Sequence, residues 1–257
     1  MNHETLILQS QTIWTEICKN QADDVGKTKI DTEYLEIIAQ NTKRVIVIIN
    51  AKSYSKIYLS KNVKELFGYT EEDISTGLLQ YIKFITFDHA SFPVIAGRWY
   101  VKYLGAVPFE EKINQQIVLV GTKLKTRGGK IIRTLIQTGH LEEDENRNPI
   151  KIINSIQDIS HFVKDDFWWM RFTYGDAPQK VKYYHSDIGK SSDNDILSER
   201  EKEILRLIYE GIDSPEIADR LNLSIATVHT HRRNMLNRTG LKDTTALLQI
   251  AMSIGMI

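Results

Sequence analysis

Arg232, Arg233 and Arg238 fall in one short run, Ser224 to Gly240, that also holds Thr227, His229, Thr230, Asn234 and Asn237. The run contains no Asp or Glu, so it carries a local formal charge of +3. A guanidinium presents a planar fork of N–H donors that matches a phosphate or the O6/N7 edge of guanine, while hydroxyl and amide groups both donate and accept. Such chemistry is binding rather than bond-making, and its natural counterpart is a polyanion. His229 and His231 do not form a metal pair, because residues two apart on a helix point in different directions.

The elements that must hold these side chains are two short helices joined by a tight turn. Ser214 and Pro215 fit the cap and first position of the first helix, with Ile217, Ala218 and Leu221 as its apolar face. Asn222 tolerates the left-handed turn conformation, and Ser224 caps a second helix running to about Arg238. On that second helix Val228, His231 and Met235 share one side, while Ala226, His229, Thr230, Arg233 and Asn237 gather opposite. A helix of this width fits the DNA major groove.

Composition narrows the rest. The 257 residues are 42% hydrophobic, with 33 Lys+Arg against 33 Asp+Glu. Such a chain can bury a core in one or two domains, of which two is our reading. There is no global basic field, so nucleic-acid affinity has to come from the local patch. Cys18 is the single cysteine, which excludes an internal disulfide framework. Neither a signal-like start nor a long apolar run is seen, so a cytoplasmic, non-membrane protein is expected.

Along the chain, helices are predicted at residues 3–19 and from Thr32 to about Gln40, either capping a domain or pairing with a second subunit. Strand signals at 45–50 and 56–60 read as a hairpin. A short helix from Val63 is stopped by Gly68, Thr70 with Asp73 opens another as a capping-box variant, and a longer helix spans about His89 to Leu104. Three strands follow, at 115–125, 130–141 and 150–159, with turns at 127–129 and 144–149. An aromatic stretch with Phe167, Trp168, Trp169, Phe172 and Tyr174 covers an edge or interface. The polar run 186–196 reads as an interdomain linker. Beyond it Ser198 and Glu201 form a capping box before a helix with Ile204, Leu205 and Ile208 buried, and Gly211 closes that helix. A fourth helix from Thr244 is mostly apolar, and either packs on its own domain or meets a second copy.

The run LSEREKEILRLIYEGIDSPEIADRLNLSIATVHTHRRNMLNRTGL resembles the LuxR-type helix-turn-helix, on S-x-R-E, G-x-x-S-x-E-I-A, S-x-x-T-V and H-R-R-N together. That resemblance implies a transcriptional regulator whose second motif helix enters the major groove, usually as a dimer. It places Thr227, Arg232 and Arg238 near phosphates and His229, Thr230 and Arg233 toward base edges. Ser224, Asn234 and Asn237 complete the implied DNA-binding set, and Glu201 and Glu216 belong to the internal framework. Thr244 stands where the family often has Arg, so a salt bridge from that position is not expected.

The segment YLSKNVKELFGYTEEDI, with its surrounding order of elements, resembles a PAS domain over roughly residues 43–160. The family's fold is a five-stranded antiparallel sheet with helices, and its members commonly sense a small molecule, hold a cofactor or dimerise. The expected architecture is therefore α+β. It comprises N-terminal helices at 1–42, a PAS-like unit with its aromatic extension at 43–185, a linker at 186–196, and a four-helix all-α domain at 197–257. Expected partners are double-stranded DNA, a second copy in a homodimer and an unidentified small-molecule ligand, with RNA polymerase a further candidate.

Catalysis finds no support in the sequence. Gly128-Gly129-Lys130 is followed by Ile131 rather than the Ser or Thr of a phosphate loop, and a hairpin turn accounts for it. Asp23-Asp24 and Asp165-Asp166 match no phosphoacceptor pattern. His89, a lone candidate axial ligand, suits a cap or core role better. The alternative to a DNA-binding regulator is a signalling scaffold whose aromatic segment binds a partner and whose DNA binding is secondary.

Overall fold

The computed structural model describes residues 29–74, 82–104 and 106–257; the helix expected over residues 3–19, Cys18 and Asp23-Asp24 lie outside them. The described residues up to Ile159, together with Phe172–Lys180, form one compact unit, and Ser160–Arg171 with Val181–Ile257 form a second.

In the first unit α1 (Thr32–Thr42) begins at Asp31, whose carboxylate accepts the Tyr34 N–H at 3.0 Å, and ends at Lys43 in the left-handed conformation. Its apolar side, Leu35, Ile38 and Ala39, packs on Ile46, Ile48 and Ile153. Five antiparallel strands follow in chain order: β1 (Val45–Asn50), β2 (Lys56–Leu59), β3 (Gln116–Lys125), β4 (Ile131–Glu143) and β5 (Pro149–Asp158). Their spatial order is β2-β1-β5-β4-β3. The β-branched, apolar run of β1 suits its place between β2 and β5, since side chains on both of its faces are buried.

Between β2 and β3 lie α2 (Val63–Phe67), closed by Gly68 at φ 78°, and α3 (Phe92–Leu104). Thr70 and Asp73 exchange the expected reciprocal hydrogen bonds, and a 3₁₀ turn at Glu72–Ile74 follows. The longer helix starts later than the sequence suggests: His89 sits in a separate 3₁₀ turn before it, buried, with Nδ1 accepting the Lys123 backbone N–H at 3.1 Å. That bond gives His89 a structural partner on β3. Gly129, at φ 85°, turns β3 into β4, while Thr126 N–H reaches Lys130 O, so the glycine pair is a hairpin turn. The first unit is thus the antiparallel sheet with helices that the PAS resemblance implies.

In the second unit β6 (Trp169–Tyr174) contributes its first residues, and β7 (Lys180–His185) pairs antiparallel with β8 (Lys190–Ser192). Four helices follow: α4 (Glu199–Tyr209), α5 (Ser214–Arg220), α6 (Ile225–Thr239) and α7 (Thr244–Ser253). The run 186–196, read from sequence as a linker, therefore holds β8 and ends on buried Ile196. Asp195 explains the order there: it takes a two-pronged bond from Arg171 and an ion pair from Lys202 at 3.0 Å. A polar composition signals a linker only when its charges face water, and here one carboxylate is held inside.

Candidate nucleic-acid interface

The helical part of the second unit is built as its caps predict. Ser198 and Glu201 form a complete capping box, Ile204 and Leu205 are fully buried, and Gly211 closes the helix at φ 85°. Asn222 takes φ 52° in the turn between α5 and α6. Ser224 Oγ accepts the Thr227 N–H at 3.0 Å, starting α6, which Gly240 ends at φ 70°. The cap of α5 differs from expectation. Asp213, not Ser214, accepts the Glu216 N–H, at 2.9 Å, while the buried Ser214 hydroxyl receives Arg232.

The two faces of α6 divide as the helical wheel suggests. Val228 and Met235 are wholly buried and His231 half-buried, while Ala226, His229, Thr230, Arg233, Asn234 and Asn237 are exposed. Thr230 Oγ1 bonds back to Ala226 O at 2.9 Å and leaves one lone-pair side outward. Ser224 and Thr227 share a hydroxyl contact of 2.8 Å at the first turn. Ile225, exposed at that same turn, was not singled out by sequence. The available signal was an apolar residue directly after a cap and off the buried stripe.

The three arginines turn out to be unequal. Arg232 donates to Ser214 Oγ at 3.0 Å and to Thr244 Oγ1 at 3.2 Å, tying α6 to the starts of α5 and α7. Thr244 thus accepts a bond from α6 instead of supplying the cation often found at its place. Arg238 makes a two-pronged bridge to Glu201 at 2.8 and 2.9 Å and also reaches Ile196 O. Burial works to raise the Glu201 pKa, but the bonds from Arg238 and Ser198 outweigh it and hold the carboxyl below its ordinary value. Among the described residues Arg233 has no hydrogen bond or ion pair within the protein and is exposed. The +3 counted along the sequence is therefore not all outward: one charge is neutralised by Glu201 and a second is half-buried. Glu216, expected in the framework, is exposed and pairs with Arg220 one turn on, at 2.6 Å.

The apolar side of α7 packs inward, with Ala246, Leu247, Ile250 and Ala251 buried. Asp243 caps its start, accepting the Ala246 N–H at 2.8 Å. Within the aromatic stretch Trp168, Trp169, Phe172 and Tyr174 are all buried and Phe167 is half-buried. An open cleft of about 560 Å³ at the ends of β3 and β4 is lined by Asn114, Gln116, His140, Glu142 and Glu143. It is polar, and His140 and Glu142 are paired with Glu143 and Lys151. Small-molecule sites are mostly apolar and enclosing, and this cleft is neither. Among the described residues there is no His/Cys/Asp/Glu group arranged for a metal, and no helix is long and apolar enough to cross a membrane.

Residues 195–251 match the family described as bacterial regulatory proteins, luxR family. The transcriptional regulatory protein MctR of Rhizobium johnstonii is 38% identical over 64 residues, 25% of this chain and 30% of that protein. The uncharacterized response regulatory protein YgeK of Escherichia coli is 34% identical over 114 residues, 42% of this chain and 67% of that protein. The chain spans only 30% to 39% of the length of the first curated relatives it matches. Among solved structures, the LuxR-type receptor VqmA of Vibrio cholerae aligns over 88% of this chain and 89% of that one, at 16% identity and a TM-score of 0.33.

Proposed function

We propose, for a chain that belongs to the luxR family of bacterial regulatory proteins, that it is a sequence-specific DNA-binding transcriptional regulator with α6 as its recognition helix. One observation carries the reading: α6 presents an uninterrupted exposed face of His229, Thr230, Arg233, Asn234 and Asn237, and Arg233 on it is uncommitted to any partner within the described protein. A guanidinium in that state is free to bond guanine O6 and N7 together. His229 and Thr230 stand beside it as further base-edge contacts, and exposed Ile225 suits a thymine methyl. Ser224 and Thr227, at the positive end of the helix dipole, suit a phosphate. Arg232 and Arg238 act chiefly by fixing α6 against α4, α5 and α7.

One such face supplies few phosphate contacts, so the regulator works as a homodimer with two recognition helices about one DNA turn apart. The PAS-like unit supplies dimerisation or the sensing of a small molecule. The test is selection of a preferred duplex from a randomised pool by the full chain, followed by binding of Arg233→Ala and His229→Ala to that duplex. Loss of preference at discrete base pairs is expected; unchanged affinity and preference would overturn the base-reading assignment.

A further inference from the structure

The C-terminal end of α6 is held by residues that lie before the matched family region. A helix leaves its last carbonyls without donors of its own. Here Trp169 Nε1–H donates to Thr239 O at 3.0 Å, and His185 Nε2 lies 3.1 Å from Arg238 O. The backbone N–H groups of Lys164 and Asp165 converge on Gly240 O at 2.8 and 3.2 Å, and Lys242 N–H returns to Phe162 O at 2.9 Å. Val163 and Leu241 thereby form an antiparallel bridge.

The fit is close as well as polar. Trp169 is 1% exposed and His185 3%. A Cβ added at Gly240 would lie 2.8 Å from Phe167 Cζ, nearer than any relaxed contact, and the Phe167 ring packs on His185 with centroids 4.4 Å apart. His185 Nδ1 is buried with no hydrogen-bond partner. The ring is therefore assigned as the Nε2–H tautomer, the form that donates to a carbonyl.

We infer that residues 160–171 and 181–192 are part of the DNA-recognition unit, in which Trp169 and His185 are positioning residues that cap α6 and fix the aim of its exposed face. This rests on the DNA-binding reading of α6. A recognition residue must sit within about 0.5 Å of its productive place, and a helix freed at one end loses that precision along its length. The ring donors reach the two carbonyls just past Asn237, the last residue of the exposed face.

The experiment uses the full chain and the duplex it selects from a randomised pool, with a scrambled duplex for comparison. Trp169→Phe and His185→Phe keep an aromatic ring and remove its N–H donor, whereas His185→Gln keeps a donor near the ε position. Both Phe variants are expected to bind the selected duplex about fivefold more weakly, the loss set by one hydrogen bond, with little change on the scrambled duplex. His185→Gln is expected to bind like the parent. The inference is overturned if the Phe variants bind as the parent does, or if Gln at 185 loses as much as Phe. A parent chain that selects no sequence sinks the DNA reading alone. Amide exchange at Thr239–Leu241 then decides the cap: faster exchange in the Phe variants but not in His185→Gln supports it, and unchanged exchange removes it.

Discussion

Along α6, His229, Thr230 and Arg233 make no side-chain bond outside their own helix among the described residues, whereas a few residues later Arg238, Thr239 and Gly240 are bonded to Glu201, Trp169 and Lys164. Both stretches are polar and each carries an arginine, Arg233 in the first and Arg238 in the second. What separates them is what lies opposite: solvent at the first, a buried carboxylate and an aromatic segment at the second. Cations in one run can thus divide between an outward face and internal scaffold, and the division is invisible to a charge count.

The largest expected effect probes the scaffold end. Glu201→Leu leaves Arg238 without its counter-charge and Ser198 without its capping partner, and should destabilise the C-terminal unit by about 3 kcal/mol, at the low end for buried pairs because Arg238 is partly hydrated. Chemical denaturation followed by amide exchange in α4 and α6 measures it. A loss below about 0.5 kcal/mol would mean that the bridge is only a surface pair.

At the other end Arg233→Ala should leave stability within about 0.5 kcal/mol of the parent while costing about 1–3 kcal/mol of discrimination on the selected duplex. Equal losses of stability and binding would erase the distinction between the two ends. Ser224→Ala removes the side-chain acceptor at the start of α6 and should cost about 1 kcal/mol in unfolding free energy.

The smallest effect concerns pH. Burial pushes His185 below the ordinary 6.5, against the opposing pull of its Arg238 carbonyl bond and of Asp187. The folded chain therefore prefers the neutral ring: its contribution is full above 6.5 and is lost as pH falls from there toward the folded pKa. Thermal melts on both sides of that pH should show a steeper acid-side decline for the parent than for His185→Gln, and identical slopes would contradict it.

Much of this was legible in local chemistry. Ser198 with Glu201, Asn222, Ser224 and Gly240 set helix starts, stops and the turn through bonds within a few residues, so their pattern is written in the sequence. The hairpin glycine at 129 was readable for the same reason. The cap of α5 was misplaced by one residue because Asp213 and Ser214 are both good caps; Asp213 holds the place, and the Ser214 hydroxyl receives Arg232 from α6 instead.

What the sequence determined by itself is therefore the strands and helices between Val45 and Asp158, the four helices after Ser198, the buried stripe of Val228 and Met235, and the exposed polar face opposite, all consequences of local periodicity and short-range capping. Tertiary structure alone decided which arginine faces outward, that Asp195 anchors a supposed linker, and that Trp169 and His185 close the end of α6. The physical reason is distance along the chain. Those partners lie from 12 to 70 residues apart, and an interaction of that span depends on the packing that brings its groups together, which neither periodicity nor composition encodes.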